Sequence, residues 1–313
     1  MKSKSTGAMT ISSLRVFVWL RRLIRTLAVL IILYLALSPR MLPGLYTHKL
    51  FHPDKERGTQ LDIERLDSFQ AVPNQQCLFK AKDSSNLRGW IFQLPDSASK
   101  GVAAGSAMIN RVFLVCPGNA GDIPKRLEFI KLLLSTGASV FTYEPRGFGK
   151  SEGVATIAHI CEDGTSAYDY LVNVLGYRAE QIVIYGISLG STVASHVSTV
   201  RRAKGLILQS GFASLPRIAH EKVPFLKIYP SWLFPHGPAL NNVAILERPH
   251  VPLLIMHGAM DSIIDIDHSR EMFSRALAPK RFVVCPRSSH VNIDLADEAI
   301  FTGAIKQFLA QLN

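Results

Sequence analysis

Ser188 lies in the pentapeptide Gly186-Ile187-Ser188-Leu189-Gly190, between an apolar run ending at Tyr185 and a small-residue run starting at Ser191. The Gly-x-Ser-x-Gly spacing fits a strand, a sharp turn and a helix with the serine at the apex. Glycine is needed on both flanks because a Cβ there would collide with the neighbouring strand and helix. A hydroxyl held at the positive end of a helix is well placed to act as a nucleophile. A glycine-rich turn with a solvated serine would show the same five letters, so the context has to decide. Gln181-Ile182-Val183-Ile184-Tyr185 is short and β-branched, as a buried parallel strand should be. Ser191-Thr192-Val193-Ala194-Ser195 continues without Gly or Pro, and its small side chains allow close packing on a sheet.

A serine hydroxyl is a poor nucleophile near neutral pH and needs a base to take its proton and an acid to orient that base. In an open α/β sheet reactive groups gather at the carboxyl ends of the strands. After the apolar run 251–256 comes His257-Gly258-Ala259-Met260-Asp261, and after 281–285 comes Pro286-Arg287-Ser288-Ser289-His290. The order Ser188, Asp261, His290 is the order expected of nucleophile, acid and base on such a sheet. Asp265 is a rival acid, but Asp261 sits nearer the strand end. Among ten histidines, His257 reads as serving a turn and His268 as an exposed helix start. Only His290 combines a post-strand loop with the right chain order. A developing oxyanion needs fixed N–H donors. Leu189 N–H follows the nucleophile directly, and Asn119 N–H, in the loop Pro117-Gly118-Asn119-Ala120-Gly121-Asp122, is the second candidate. An ordinary glycine turn is the plainer reading of that loop.

These groups require a frame. From about residue 75 onward short apolar strands alternate with helical stretches, the pattern of an α/β fold whose mostly parallel central sheet carries helices on both faces. Strands are expected at 77–82 and 87–94 (a hairpin), 111–116, 138–143, 181–185, 205–209, 251–256 and 281–285. Helices are expected at 125–134, 161–174, 189–200, 267–277 and 294–311. Residues 96–110 read as a polar loop. Residues 212–250 break the rhythm with six prolines and read as a small cap between two strands. The expected division is a basic N-terminus with a membrane anchor or signal segment (1–46), a linker (47–74) and a catalytic domain (75–313). Cys77, Cys116, Cys161 and Cys285 have neither C-x-x-C nor zinc spacing. No metal or organic cofactor is implied.

The net charge of +11 belongs to one end of the 313-residue chain. Residues 1–50 hold eight Lys/Arg and no Asp or Glu, leaving 27 basic against 24 acidic residues in the remainder. That distribution, without a basic stripe interleaved with aromatics, argues against nucleic acid as a partner. Residues 27–37 are unbroken apolar, and the uncharged stretch 26–39 is about 20 Å long as a helix, short of a ~30 Å hydrocarbon core. A full span must run on toward Tyr46, with Arg40 snorkelling. Residues 14–25 plot as an amphipathic helix with Arg15, Arg21, Arg22 and Arg25 on one face. An uncleaved N-terminal anchor, with the catalytic domain on the non-cytoplasmic side, fits the charge rule. A cleaved signal peptide and a peripheral anchor are the alternatives.

Taken together these motifs resemble the α/β-hydrolase superfamily. The similarity covers about residues 75–312 and rests on PGNAGD (117–122), YEPRGFGKSEG (143–153), YGISLGS (185–191), MHGAMD (256–261) and SSHVN (288–292). It is nearest the branch of serine-aminopeptidase-like, membrane-anchored lysophospholipase-like and depalmitoylase-like hydrolases. The resemblance implies the fold and a Ser-His-Asp triad working through an acyl-enzyme, and it is unspecific for substrate. The apolar side chains of 212–250, among them Phe225, Leu226, Tyr229, Trp232, Leu233 and Phe234, beside an anchor point to carboxylic esters or thioesters of acyl lipids. Packing of the cap onto the sheet is the equal alternative. Relatives of this kind often begin with a single membrane anchor. Pro117 stands where the family usually has His, and Ile187 precedes the serine where a polar residue is common. Ser288-Ser289 replaces the usual Gly-Gly. An aminopeptidase or amidase would need a carboxylate near the cap, where 212–250 offers Glu221 and Glu247. A binding protein on a hydrolase scaffold is the reading from another class.

Overall fold

The computed structural model describes residues 11–44, 74–94, 111–119, 126–235, 240–290 and 292–312. Its centre is an eight-stranded sheet in the order β1-β2-β4-β3-β5-β6-β7-β8. The strands are β1 (Asn74–Lys80), β2 (Asn86–Phe92), β3 (Val112–Cys116), β4 (Ser139–Glu144), β5 (Ile182–Ile187), β6 (Gly205–Gln209), β7 (Leu253–Gly258) and β8 (Lys280–Cys285). β1 and β2 form the expected hairpin, and β2 runs antiparallel to β4. From β4 to β8 every pairing is parallel. β3, β4, β6 and β7 are buried along their whole length, and β5 up to Gly186, which is why they read as continuous apolar runs rather than as alternating ones. The chain visits β4 on one side of β3 and then β5 on the other. The loops leaving β3 and β5 therefore diverge at a crevice, the usual place for a ligand in an open parallel sheet.

Helices close both faces. α2 (Leu127–Leu134) lies on one side with the C-terminal residues 301–312, and α3 (Ile157–Asn173) with α4 (Gly190–Val200) on the other. α5 (Leu215–Lys222) and α6 (Asn242–Leu246) belong to residues 212–250, and α7 (Ile266–Arg275) follows β7. The prolines that interrupt the alternating pattern open short helices here. Pro216 sits in the first turn of α5, and Pro224 starts a 3-10 turn. At such positions the missing N–H would have had no helical partner anyway. The last expected helix is two, α8 (Ile293–Ala296) and α9 (Glu298–Gln311). The break falls at Asp297, whose carboxylate is engaged by the loop before it, as described below. The expected loop 96–110, and all of the linker 47–74 except Asn74, lie outside the described residues. Cys77, Cys116, Cys161 and Cys285 are free and buried.

At the N-terminus residues 11–36 form one unbroken helix, α1 (Ile11–Ala36). Among the described residues no helix is long and apolar enough to cross a membrane, so the expected spanning anchor is not supported. The reason is length: Arg21, Arg22 and Arg25 interrupt the apolar character, and the uncharged remainder to Ala36 is about 16 Å long. The continuation toward Tyr46 that a full span needed does not form within the described residues. Leu37 to Met41 turn instead toward the 212–250 segment, with the Arg40 N–H bonded to the Leu233 carbonyl at 2.8 Å. Residues 45–46 lie outside the described residues.

Candidate active site

The elbow at Ser188 follows from two close approaches. A Cβ on Gly186 would lie 2.5 Å from the Gly190 carbonyl oxygen and 2.7 Å from Ala194 Cβ. One on Gly190 would lie 2.1 Å from the Cys116 carbonyl oxygen. Only glycine lets β5, α4 and the end of β3 meet this tightly. Ser188 itself has φ +54°, a left-handed conformation that costs a non-glycine residue of order 1–3 kcal/mol. It is held there by its N–H donating to the Gln209 carbonyl (2.9 Å) and its carbonyl accepting from the Ser191 N–H (2.9 Å).

At the apex the three expected side chains are hydrogen-bonded in series. Ser188 Oγ lies 2.9 Å from His290 Nε2, and His290 Nδ1 lies 2.7 Å from Asp261 Oδ2. A carboxylate only accepts, so His290 Nδ1 carries the proton and Nε2 is left to accept from the serine hydroxyl. The His290 side chain is 12% exposed and that of Asp261 is fully buried. Burial disfavours the Asp261 carboxylate, but hydrogen bonds from His257, His290 and the Ile264 N–H outweigh it and hold the group well below its ordinary range. The rival Asp265 caps α7, accepting from the Asp267 N–H.

The supporting residues carry no sequence motif. His257 is completely buried. Its Nε2 sits 2.9 Å from the Ile264 carbonyl and 3.2 Å from Asp261 Oδ2, while Nδ1 is 2.7 Å from Ser269 Oγ. Because the carbonyl can only accept, Nε2 carries the proton, and His257 presents an N–H to the acid rather than merely serving a turn. Asp297 holds the loop that carries His290. It accepts from the Arg287 N–H (2.9 Å) and from Ser288 Oγ (2.5 Å). This explains the break between α8 and α9 and why Ser288 is buried. Ser289 is bound in turn by Asn292 Oδ1. Nothing in the sequence marked Asp297. Its partners are nine and ten residues away, across a strand-end loop.

His268 corrects an expectation. It is fully buried rather than exposed. Its Nδ1 accepts from the Ala213 N–H, so Nε2 holds the proton and donates to Glu221 at 2.8 Å. Burial pushes the ring below its ordinary value, so a neutral imidazole joins α5 to α7. Arg146, in the part of the YEPRGFGKSEG segment that follows β4, is also fully buried. Its guanidinium is taken up by Asp163, Asp83 and Glu162, which locks that loop to α3 and to the β1–β2 turn.

Gly118, the residue before the second oxyanion candidate, is close to the serine. A Cβ on Gly118 would lie 3.3 Å from Ser188 Cβ and 3.2 Å from the Ile187 carbonyl oxygen. Asn119 is the next residue. Leu189 caps the start of α4, where the helix dipole favours negative charge. Leu189 also packs against an apolar cluster of Phe212, Leu215, Ile218, Leu240 and Ile264. No group of His, Cys, Asp and Glu among the described residues could hold a metal ion.

An open, mostly parallel sheet with a serine elbow at its switch point defines a class, and comparison with known proteins agrees. The alpha/beta hydrolase fold family matches residues 111–234. An uncharacterised Mycobacterium tuberculosis protein, Rv2307c, is 30% identical over 232 residues, covering 74% of this chain and 78% of the relative. Human alpha/beta hydrolase domain-containing protein 17B is 28% identical over 195 residues, 62% of this chain and 64% of its own length. Among solved structures, esterase Pf2001 of Pyrococcus furiosus covers 84% of this chain and 98% of its own, with TM-score 0.64 and 17% identity. At that identity the likeness shows the fold alone. The chain belongs to the α/β-hydrolase superfamily.

Proposed function

We propose that this chain is a serine hydrolase that cleaves carboxylic esters or thioesters bearing an acyl chain. The observation that carries the reading is the Ser188–His290–Asp261 series at 2.9 and 2.7 Å. Ser188 Oγ attacks the acyl carbon as its proton passes to His290 Nε2, and Asp261 steadies the imidazolium that forms. The Asn119 and Leu189 N–H groups receive the negative charge on the carbonyl oxygen. His290 then protonates the leaving alcohol or thiol. Water, deprotonated by the same imidazole, releases the acid from the acyl-enzyme. The apolar cluster against Leu189 supports an acyl group rather than a polar one beside the nucleophile.

Aminopeptidase action has less support. Both carboxylates of 212–250 are engaged: Glu221 by Arg217 and His268, Glu247 by Arg275. Neither is left to bind a substrate's amino terminus. The test is a series of p-nitrophenyl and thioester substrates of increasing acyl length beside aminoacyl amides. Ester and thioester turnover is expected to exceed amide turnover throughout. A preference for amides would overturn the substrate class, and turnover of none of them would favour a binding protein on a hydrolase scaffold.

A further inference from the structure

α1 is not a tail hanging from the fold; its end is bonded to the 212–250 segment. The Tyr34 ring stacks on Tyr229 with centroids 4.9 Å apart, and its hydroxyl donates to the Ile228 carbonyl at 2.6 Å. The Tyr229 hydroxyl donates back to the Leu37 carbonyl at 3.2 Å. Arg40 adds a backbone bond to Leu233 and a side-chain bond to the Trp232 carbonyl. Tyr34 thereby covers a small core formed by Ala219, Leu226, Tyr229, Leu233 and Phe234. Directly beside this joint, Phe225, Ile228 and Trp232 stand 62%, 61% and 56% exposed. Residues 27–33 of α1 are exposed without interruption. Two consecutive turns of a helix therefore show apolar side chains on all sides.

An apolar surface of this extent needs an occupant. We propose that α1 and the outer face of the 212–250 cap form one lipid-binding surface, which seats the cap in the headgroup and outer acyl region of an anionic bilayer. Charge selects the occupant. Residues 11–44 and 222–235 contain no Asp or Glu, and they carry Arg15, Arg21, Arg22, Arg25, Arg40, Lys222 and Lys227, all exposed. A second copy of the chain would set like charges against like. Anionic headgroups complement them, at about 1 kcal/mol per basic residue near the surface. Length agrees. The uncharged part of α1, residues 26–36, reaches about 16 Å, half of a ~30 Å hydrocarbon core, and Arg25 and Arg40 bound it at both ends, so it suits a helix lying in the plane of the interface. Trp19, 65% exposed, and Trp232 supply the aromatic side chains that prefer the interface. Since Tyr34, Tyr229 and Arg40 tie helix to cap, whatever holds α1 also holds the cap.

Neither Ser188 nor its partners enters this inference, so its test is separate from that of the hydrolase reading. The chain has three tryptophans, and Trp90 is buried. In the full chain carrying Trp19→Phe, Trp232 is therefore the one exposed reporter. Vesicles of phosphatidylcholine and phosphatidylglycerol with brominated acyl chains are expected to quench and blue-shift its emission. The quenching should vanish in the Trp19→Phe/Trp232→Phe chain. Phe225→Ser/Ile228→Ser/Trp232→Ser is expected to weaken co-sedimentation with these vesicles by about tenfold or more. Its denaturant midpoint should stay that of the parent, which shows that it folds. Unquenched Trp232 in vesicle-bound protein would overturn the proposal. So would a triple serine variant that binds as the parent does, or dimerisation through this face without vesicle binding.

Discussion

Asp261 is the side chain on which the geometry at Ser188 depends most, because it is buried and yet ionised. Its donors lower its proton affinity in the folded state. The resulting stability is present above the ordinary carboxylate range and is lost as pH falls through the depressed folded value. Asp261→Asn is therefore expected to lower unfolding stability in urea by about 1–3 kcal/mol at pH 7, with a smaller gap from the parent at pH 3. A gap that widens on acidification would contradict this. The same variant should lose about four orders of magnitude in kcat, because the His290 tautomer is no longer fixed. His257→Leu removes one of the N–H groups facing Asp261, so the acid limb of kcat/KM should move to higher pH. Ser188, Asp261 and His290 were legible in the sequence because each follows a strand whose apolar letters are unmistakable. His257 and Asp297 were not. What they contribute is a contact across loops, and His and Asp near strand ends have many ordinary uses. His268 was misread for a related reason: polar neighbours at a helix start suggest solvent, while Ala213 and Glu221 pack over it.

The elements matter through how closely they approach. β3, β5 and α4 meet where a Cβ on Gly190 would overlap the Cys116 carbonyl. Gly190→Ala should cost about 1–3 kcal/mol through overpacking, seen as a lower denaturant midpoint, with turnover falling as the elbow shifts. The loop after β8 is held from its far side by Asp297. In Asp297→Ala the His290 ring is still present but no longer positioned. A fall of about 10²-fold in kcat, the size of a small misplacement, is expected, with KM much less affected. An unchanged kcat would show that the loop holds its shape without Asp297. The mostly parallel core followed from the alternation of strands and helices, whereas the order of the strands came only with the structure. The division of the last helix did not, because residues 294–311 keep a helical pattern across Asp297 and only the carboxylate's engagement with Arg287 and Ser288 breaks it.

At the scale of the whole molecule, the sequence suggested two independent parts, an anchor and a catalytic domain. The structure joins them. Both α1 and residues 212–250 are rich in apolar side chains, and composition alone could not say that Tyr34 would stack on Tyr229. Removing residues 1–44 should therefore loosen the cap, and limited proteolysis within 222–240 should be faster than in the full chain. The central claim is that Ser188 is the nucleophile of the series it shares with His290 and Asp261. Reaction of the purified chain with a fluorophosphonate, followed by peptide mass spectrometry, tests it most directly. One phosphonyl adduct on the peptide containing Ser188 is expected, absent in Ser188→Ala and strongly slowed in His290→Ala. No adduct on the parent chain, or one on a different serine that survives Ser188→Ala, would contradict it.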